Sequence, residues 1–356
     1  MTDFSIARFA SGVSPDRLDE FVPPEFAPVF EPLSYTPWTP VAEQVKGEYT
    51  ITRSAVVLPS PSLTRRLQYA NPLSRLRANA ISSASMLKRG KASLPESEAP
   101  FGIVHSQWTA GYYHWLTEGL PRALAVLREF PGAVPALPSE RYRPWEESVR
   151  ALGFDDVRYF PGGKNLETRD PVLTDCPENF ATTSPEALAD VVRTITSNLG
   201  IESARANRKV YISREGSRGR FVINEAEVRA LLSDRGFEIV RAETLGFRGQ
   251  VELLHSTKTL VSIHGAGLTN AMFMQPGSAM VELLPRRNGI VDYHKSRNSF
   301  RHDACYVRLA AAMQLTYAYL ICDHDAPFYR GTHMSNIEVD LEKLQTLVEK
   351  LEEDPS

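Results

Sequence analysis

Cysteine is scarce in this chain of 356 residues, and no two cysteines form a C-x-x-C pair. Their scatter and odd number argue against a disulfide framework and against a structural zinc site built on paired cysteines. A reducing compartment therefore fits the sequence best. The three cysteines are Cys176, Cys305 and Cys322.

The chain also lacks a strong charge imbalance and a long apolar run. Its net charge is -3, which gives no global reason to expect nucleic-acid binding. The N-terminus lacks the apolar core of a signal peptide. The most apolar late segment, residues 309–321, is interrupted by Gln314 and Thr316 and is too short to span a bilayer. We expect a cytoplasmic protein and interpret this segment as buried core.

Acidic residues are absent between Thr50 and Pro95, where every charged residue is basic. Such a stretch can hold a protein against an anionic membrane surface or attract an anionic ligand, and it can equally be a solvated surface segment. The basic stretch 53–91 therefore leaves open a peripheral contact with the inner face of a membrane. Its basic residues are Arg53, Arg65, Arg66, Arg75, Arg77, Lys88, Arg89 and Lys91.

The second half of the chain alternates between strand-like and helix-like segments. Such βαβ alternation is typical of an α/β fold with a parallel sheet. The expected strands are 209–213, 237–240, 259–263 and 280–284, and the expected helices are 224–234, 247–256 and 268–274.

The first half is less regular. Residues 101–105 form an expected strand, 115–130 an expected helix that Pro121 kinks or restarts, and Ser184 can cap a helix that begins at Pro185. We divide the whole chain into an irregular N-terminal arm (1–97), a first α/β domain (98–205), a second α/β domain (206–325) and a C-terminal packing helix (326–356).

The run from His264 to Asn270 interrupts two apolar segments at the end of an expected parallel strand. Ligands bind beyond the carboxyl ends of such strands. Gly265 and Gly267 let the backbone approach a ligand closely, and the helix start that follows favours an anion. Thr269 and Asn270 add side-chain donors. The same pattern also fits a plain strand-to-helix turn.

Two further groups fit a bound nucleotide. Arg214, Arg218 and Arg220 follow the first strand of the second half, and guanidinium groups suit diphosphate oxygens, although single arginines are usually surface residues. Glu282 lies on the next strand, where its carboxylate can accept hydrogen bonds from ribose hydroxyls or be an ordinary edge charge.

His114 and Glu118 lie one helical turn apart on a single face if residues 113–119 are helical. A histidine oriented by a carboxylate is a suitable general base, because it can accept and release a proton near neutral pH. A hydroxyl that attacks an anomeric carbon needs such a base. The alternative is a core histidine among aromatic residues.

Asp323-His-Asp325 has the D-x-D spacing of a divalent-cation site, and His333 is near in sequence. The spacing is common by chance and lies far beyond the βαβ units. We therefore expect no metal site.

Several separate motifs together resemble glycosyltransferase family 61. They are Tyr211-Ile-Ser-Arg214, Arg220-Phe-Val-Ile-Asn-Glu225, Gly249-Gln250, His264-Gly-Ala-Gly-Leu-Thr-Asn270 with Pro276-Gly277 and Glu282, and His114-Trp-Leu-Thr-Glu-Gly-Leu-Pro-Arg122. The resemblance covers roughly residues 100 to 290.

The resemblance implies a GT-B-like α/β fold, in which two Rossmann-like domains face a cleft. It implies inverting, metal-independent transfer from a nucleotide sugar, with a UDP-sugar as the expected donor and no cofactor. The second domain would bind the donor and the first would supply the base, His114 or Glu118, and bind a glycan or lipid-linked glycan acceptor through Trp115 and Arg122. The donor residues implied are Arg214, Arg218, Arg220, Gln250, His264, Gly265, Ala266, Gly267, Leu268, Thr269, Asn270 and Glu282.

The resemblance further implies a role in bacterial capsule or other surface polysaccharide synthesis. Two alternatives stay open. One is a non-catalytic nucleotide-sugar or glycan-binding protein of the same fold. The other is a nucleotide-dependent oxidoreductase, against which the missing third glycine of the G-x-G-x-x-G fingerprint argues.

Overall fold

A computed structural model describes residues 3–55, 57–58, 89–95, 97–139, 145–177, 179–202, 205–216, 220–287, 301–325 and 335–353. The chain divides into two compact units. One unit comprises residues 1–36 and 203–356, and we call it the C-terminal unit. The other comprises residues 37–202, and we call it the central unit.

The described strands are, in chain order, β1 (Phe4–Arg8), β2 (Ala42–Gln44), β3 (Glu48–Ile51), β4 (Val57–Leu58), β5 (Lys91–Ser93), β6 (Phe101–Ile103), β7 (Val134–Pro138), β8 (Arg158–Phe160), β9 (Asn165–Arg169), β10 (Val172–Thr174), β11 (Arg208–Ile212), β12 (Phe237–Val240), β13 (Thr257–Ile263), β14 (Ala279–Pro285), β15 (Thr316–His324) and β16 (Ile337–Glu338). The longer α-helices are α1 (Leu120–Glu129), α2 (Glu146–Leu152), α3 (Pro185–Asn198), α4 (Glu225–Asp234), α5 (Phe247–His255), α6 (Cys305–Ala312) and α7 (Leu341–Glu353).

The C-terminal unit is built on one sheet in the order β1-β15-β14-β13-β11-β12, with β16 paired to β15. The strands from β11 to β15 are mutually parallel, whereas β1 and β16 run antiparallel to β15. Numbered from β11, the parallel strands have the order 2-1-3-4-5. The strand order therefore reverses between β11 and β13, and this reversal is the topological switch point where doubly wound folds bind ligands.

Helices and a 3₁₀ helix, Ala266–Phe273, connect these parallel strands in sequence. The apolar faces of α4 and α7 pack with the strands into one core that includes Val228, Val261, Val281 and Leu344. The predicted α/β character of this half is confirmed, and the expected strands match β11 to β14 closely. The expected helix at 268–274 is a 3₁₀ helix that begins two residues earlier.

The described residues of the central unit form two sheets. One has the order β2-β10-β6-β7-β8, in which β2 is antiparallel to β10 and the others are parallel. The parallel strands thus have the order 4-1-2-3 counted from β6, which reverses between β6 and β10. The other sheet has the order β4-β3-β9-β5. Leu166 and Phe160 bury their side chains in the core of this unit with Ile51 and Ile103.

The helix after β6 changes type along its length. A helical turn at Tyr112–His114 leads into a π-helical segment, Trp115–Gly119, and α1 begins immediately afterwards with Pro121 in its first turn. The backbone stays helical through Gly119 and Leu120, so the helix changes type just before the proline and does not begin anew there. Ser184 caps α3 by accepting a hydrogen bond from the amide of Ala187 at 3.2 Å, as predicted.

The segment interpreted as an N-terminal arm is shared between the units. Residues up to 36 belong to the C-terminal unit, where β1 forms an edge of the large sheet, and the residues from 37 belong to the central unit. Most of the basic stretch 53–91 lies outside the described residues. Within the described part of the chain, no helix has the length and apolarity to cross a membrane.

Candidate functional site

The switch point of the C-terminal sheet brings two predicted groups to one edge. Ser213 and Arg214 follow β11, and His264 and Gly265 follow its neighbour β13. A side-chain hydrogen bond also joins the ends of β11 and β13, because the Ser262 hydroxyl donates to the carbonyl of Ile212 at 2.9 Å. The parallel register therefore places the arginine loop beside the glycine turn.

Gly265 contacts the arginines directly. A Cβ added at this residue would lie 2.7 Å from Arg214 Nη1 and 3.7 Å from Arg220 Nη1, and its φ of +154° also favours glycine. Only a residue without a side chain leaves both guanidinium groups against this backbone. The predicted Arg218 lies outside the described residues.

The two guanidinium groups are partly withdrawn from water. Burial lowers the pKa of Arg214 and of Arg220, and the positive charge of Arg214 lowers the pKa of Arg220 further. Among the described residues, neither group forms a hydrogen bond or an ion pair with a carboxylate. Nearby Glu243 acts on Arg214 only through space, because its carboxylate bonds Arg241. Two desolvated like charges favour a bound anion.

Two hydrogen bonds connect the backbone next to Arg220 to Asp325 through the side chain of Asn336. The Arg220 backbone has a positive φ of 54°, which is uncommon for a residue with a side chain. The next amide, of Phe221, donates to the Asn336 side chain at 3.2 Å, and the Asn336 side chain donates to Asp325 at 2.7 Å. Asp323 instead accepts from Arg286 Nε at 2.9 Å.

Both carboxylates of the D-x-D sequence thus have polar protein partners. Asp325 stabilises the loop that carries Arg220, and His333 lies outside the described residues. Within the described ranges, no cluster of at least three His, Cys, Asp or Glu side chains is arranged to hold a metal ion.

Glu282 orients the ring of His264 through a hydrogen bond. The carboxylate bonds His264 Nδ1 with one oxygen and accepts from the Tyr317 hydroxyl with the other. Glu282 is 2% exposed, whereas the His264 side chain is 20% exposed. The predicted ribose contact of Glu282 has no support in this geometry, because both oxygens are engaged beneath the surface. A carboxylate only accepts hydrogen bonds, so Nδ1 carries the proton and His264 Nε2 is left as the acceptor nitrogen of the ring.

Tyr306 supports the glycine turn and has no counterpart in the sequence motifs. Its buried hydroxyl donates to the carbonyl of Gly265 at 2.6 Å, and its ring packs edge-on against His264 with centroids 5.3 Å apart. Burial raises the pKa of Tyr306 well above its ordinary value, so the hydroxyl stays protonated and a donor. Tyr306 and Tyr317 come from α6 and β15, and no local spacing in the sequence links them to the glycine run.

Most of the predicted donor-binding side chains on the 3₁₀ helix after the glycine turn are buried in the protein interior. Leu268, Thr269 and Asn270 are at most 1% exposed. Asn270 donates to Gln250 at 2.8 Å, and Gln250 donates to the carbonyl of Leu245 at 3.0 Å. These side chains stabilise the turn from within. Ala266, which is exposed, and the first amides of the helix are the parts available to an anion.

Gly267 also faces the interior. Its added Cβ would lie 3.1 Å from Ile212 Cγ2, so this glycine lets the 3₁₀ helix pack close to β11. Of the two glycines predicted to open the backbone to a ligand, Gly265 therefore lies against the two arginines and Gly267 lies against the sheet.

The central unit carries a second histidine–glutamate pair. His114 Nδ1 lies 2.8 Å from Glu118 Oε1, and their side chains are 24% and 5% exposed. The π-helical segment contains Glu118, and π-helical turns recur at functional sites. No described residue hydrogen bonds His114 Nε2, and a proton on Nδ1 toward the Glu118 carboxylate leaves Nε2 as the acceptor nitrogen.

The two predicted acceptor residues are buried beneath this pair. Trp115 is fully buried and its indole donates to the Ser148 hydroxyl at 2.8 Å. Arg122 is 2% exposed and joins the ends of β6 and β10, donating from Nε to Thr174 Oγ1 at 2.7 Å and from Nη1 to the carbonyl of His105 at 3.0 Å. Their placement favours a structural role for both.

Comparison with known proteins finds a family match over part of the chain. Residues 112–281 match the family described as Glycosyltransferase 61, so the resemblance inferred from the motifs is confirmed. The chain is 27% identical over 206 residues to a beta-1,2-xylosyltransferase, XAX1, of Oryza sativa subsp. japonica, which covers 51% of this chain and 36% of the relative. It is 32% identical over 85 residues to the xylan glycosyltransferase MUCI21 of Arabidopsis thaliana, covering 23% of this chain and 17% of that protein.

A fish relative extends the comparison to protein glycosylation. The chain is 38% identical over 79 residues to protein O-linked-mannose beta-1,4-N-acetylglucosaminyltransferase 2 of Tetraodon nigroviridis, covering 21% of this chain and 13% of the relative. The matches thus span between 13% and 36% of the length of these three relatives.

Proposed function

Because residues 112–281 form a glycosyltransferase 61 domain, we propose that the chain transfers a sugar from a nucleotide-sugar donor to a hydroxyl group of a glycan acceptor. The observation that carries the proposal is the anion site at Gly265, where two desolvated guanidinium groups meet at the switch point of a parallel sheet. A diphosphate is the part of a sugar nucleotide that such a site would bind.

On the donor side, Arg214 and Arg220 would offset the charge that develops on the diphosphate as it leaves. The first amides of the 3₁₀ helix would add hydrogen bonds to its oxygens. Glu282 fixes the tautomer of His264, so that Nε2 can accept a hydrogen bond from a sugar hydroxyl. Gly265 removes the side chain that would separate the ligand from these groups.

On the acceptor side, His114 is the proposed general base and Glu118 orients its ring. The acceptor oxygen attacks the anomeric carbon while the bond from that carbon to the diphosphate breaks, and the electron pair of this bond leaves with the diphosphate. The proton of the acceptor hydroxyl moves to His114 Nε2 and then to solvent. One displacement of this kind inverts the anomeric configuration.

The finer expectations rest on the family resemblance. They are a GT-B arrangement of two Rossmann-like domains, a UDP-sugar donor, a cytoplasmic location at the inner face of a membrane, and a bacterial surface polysaccharide as product. The relatives are described by name as acting on xylan and on O-linked mannose, which supports a glycan acceptor in general. Fractionation of the host cell, with the protein found in a secreted or luminal fraction, would contradict the location.

We propose that transfer needs no metal ion, since two guanidinium groups and a helix start can offset the leaving charge, and Asp323 and Asp325 have protein partners. Turnover in excess EDTA should equal turnover in buffer. Loss of activity in EDTA that magnesium or manganese restores would contradict this part of the proposal.

The proposal is tested by a thermal-shift screen of nucleoside diphosphates, nucleosides and nucleotide sugars, followed by an assay of nucleotide release. A ligand that binds only the folded state raises the melting temperature. We expect a nucleoside diphosphate to raise it and the parent nucleoside to have little effect. Absence of any diphosphate effect would reject the donor site, and binding without nucleotide release under any acceptor would favour the non-catalytic alternative.

A further inference from the structure

Two exposed aromatic side chains flank His114. The ring centroids of Trp108 and His114 are 6.2 Å apart and their planes are inclined by 33°, and the Phe180 centroid lies 6.0 Å from His114 on a separate loop. Trp108 is 61% exposed and Phe180 39%. Removing an exposed aromatic ring from water is favourable in free energy. Two such rings beside one polar group therefore indicate a surface that binds a ligand. We call Trp108, Phe180 and His114 the aromatic bracket.

Trp108 stands on a loop whose own polar groups are satisfied internally. The amide of Ser106 donates to Thr109 Oγ1 at 2.7 Å, and the Trp108 amide donates to Ser106 Oγ at 3.2 Å. Ser106 and Thr109 are both buried, whereas the indole between them projects into solvent. An ordered loop therefore holds the Trp108 side chain in solvent.

Phe180 is presented by a strained turn. The next residue, Ala181, has a φ of +59°, a conformation that is unfavourable for a residue with a side chain. The turn is tied to the π-helical segment, because the Thr183 hydroxyl donates to the carbonyl of Thr117 at 2.6 Å. The strain and this tie hold Phe180 beside the His114–Glu118 pair.

We propose that the aromatic bracket binds a sugar ring of the acceptor. This inference rests on the proposed function and specifies its acceptor. One face of a pyranose ring is rich in C–H groups and can lie on the indole of Trp108, while Phe180 covers a second edge. The hydroxyls around the same ring remain free to hydrogen bond, and one of them can meet His114 Nε2. An aliphatic lipid would not use this nitrogen, and a charged ligand would find no charged partner in the bracket.

The bracket therefore acts on acceptor affinity, and it contains none of the residues assigned to the diphosphate. Trp108→Ala should weaken acceptor binding about three- to tenfold, the effect of losing one aromatic stacking contact. Trp108→Phe, which keeps a ring, should recover part of the loss. Phe180→Ala should weaken binding in the same direction by a smaller factor.

The experiment uses the full chain on an array of immobilised oligosaccharides that includes xylohexaose, mannohexaose and bacterial surface glycans. The parent, Trp108→Ala, Trp108→Phe and Phe180→Ala are compared with Phe21→Ala, a matched exposed aromatic at 43% exposure in the C-terminal unit. Melting temperatures check folding, and calorimetry with UDP checks the donor site independently.

Loss of oligosaccharide binding in Trp108→Ala, with partial recovery in Trp108→Phe and unchanged UDP affinity, would support the bracket. UDP binding together with oligosaccharide binding that is equal in the parent and both alanine variants would overturn the bracket alone. So would a parent that binds UDP and no oligosaccharide on the array. Failure of the parent to bind UDP or any other nucleoside diphosphate would instead reject the proposed function.

Discussion

At the scale of single residues, the same histidine–glutamate pair occurs once in each unit. A buried glutamate bonds Nδ1 of a partly exposed histidine, so that Nε2 is left as the acceptor nitrogen: Glu282 does this for His264 and Glu118 for His114. A fixed tautomer is useful to a proton acceptor and to a hydrogen-bonding contact alike. The two histidines must therefore be distinguished by experiment.

Replacing His114 by alanine should reduce turnover about 10²- to 10⁴-fold, the usual contribution of a general base. Donor affinity should change little, because the diphosphate site lies on other residues. Glu118→Gln should cost less, since it weakens the orientation of the ring without removing it. The measurement is kcat with saturating donor.

His264→Ala is the comparison for this prediction. If His264→Ala removes turnover and His114→Ala retains it, the base belongs to the C-terminal unit. If Glu118→Gln is inactive while His114→Ala is active, the glutamate is the base.

Gly265 and Gly267 should fail in different ways. Gly265→Ala places a Cβ within 2.7 Å of Arg214 Nη1, so we expect affinity for a nucleoside diphosphate to fall at least about tenfold. Gly267→Ala meets Ile212 at 3.1 Å, so we expect a lower melting temperature with affinity largely retained. Calorimetry and thermal unfolding of both variants separate the two effects. Identical behaviour of the two variants would contradict the assignment.

At the scale of elements, the π-helical segment depends on Gly119. A Cβ at this residue would lie 2.5 Å from Trp115 Cε3, and Trp115 is fully buried. The wider π turn and the absent side chain together let the indole lie inside the unit while His114 stays at its surface. The sequence predicts a kink or a restart at Pro121 but gives no signal for the π turn, because i to i+5 bonding follows from this packing and not from local propensity.

Gly119→Ala should therefore destabilise the central unit by about 1–3 kcal/mol, the usual cost of overpacking a core. Gly132→Ala is the matched control, since a Cβ there has no neighbour within 4 Å. Urea unfolding followed by circular dichroism measures both. Equal stability of Gly119→Ala and Gly132→Ala would contradict the packing account.

The alternation of strands and helices in the second half can be predicted from hydrophobic spacing and from the glycines that end its elements. The strand order cannot, since no local pattern states that β13 pairs with β11. The donor arginines and the glycine turn were predicted on separate strands, and pairing of those strands brings them together. The inward direction of Thr269, Asn270 and Glu282 likewise depends on tertiary contacts with Tyr306, Gln250 and Tyr317.

At the scale of the whole molecule, two buried histidines make the free energy of unfolding depend on pH in the acidic range. Burial lowers the pKa of His105 to about 4, and it lowers the pKa of His302 well below the ordinary value, with help from the charges of Arg287 and His264. An unfolded histidine titrates near 6.5, so the unfolded state binds more protons than the folded state below that pH. The stability that these two neutral histidines contribute is therefore fully present above about pH 6.5 and is lost as the pH falls below it.

As the pH falls from about 6.5 to about 4, His105 alone should remove up to about 1.4 kcal/mol of stability per pH unit. His105→Gln keeps a side chain that can donate to the carbonyl of Thr52 and removes the titrating ring. Urea unfolding at pH 7, 6 and 5 should show a shallower loss in this variant than in the parent. The same slope in both would mean that His105 does not titrate on unfolding.

The central claim is that Arg214 and Arg220 bind the diphosphate of a sugar nucleotide, and calorimetry of UDP against uridine tests it most directly. Arg214→Ala should weaken UDP binding about 10- to 100-fold, the value of a charged hydrogen bond, and leave uridine binding unchanged. The control is Arg248→Ala, whose guanidinium pairs with Glu252 on the surface of α5. A UDP affinity that Arg214→Ala leaves intact, or a loss that is equal for UDP and uridine, would contradict the account.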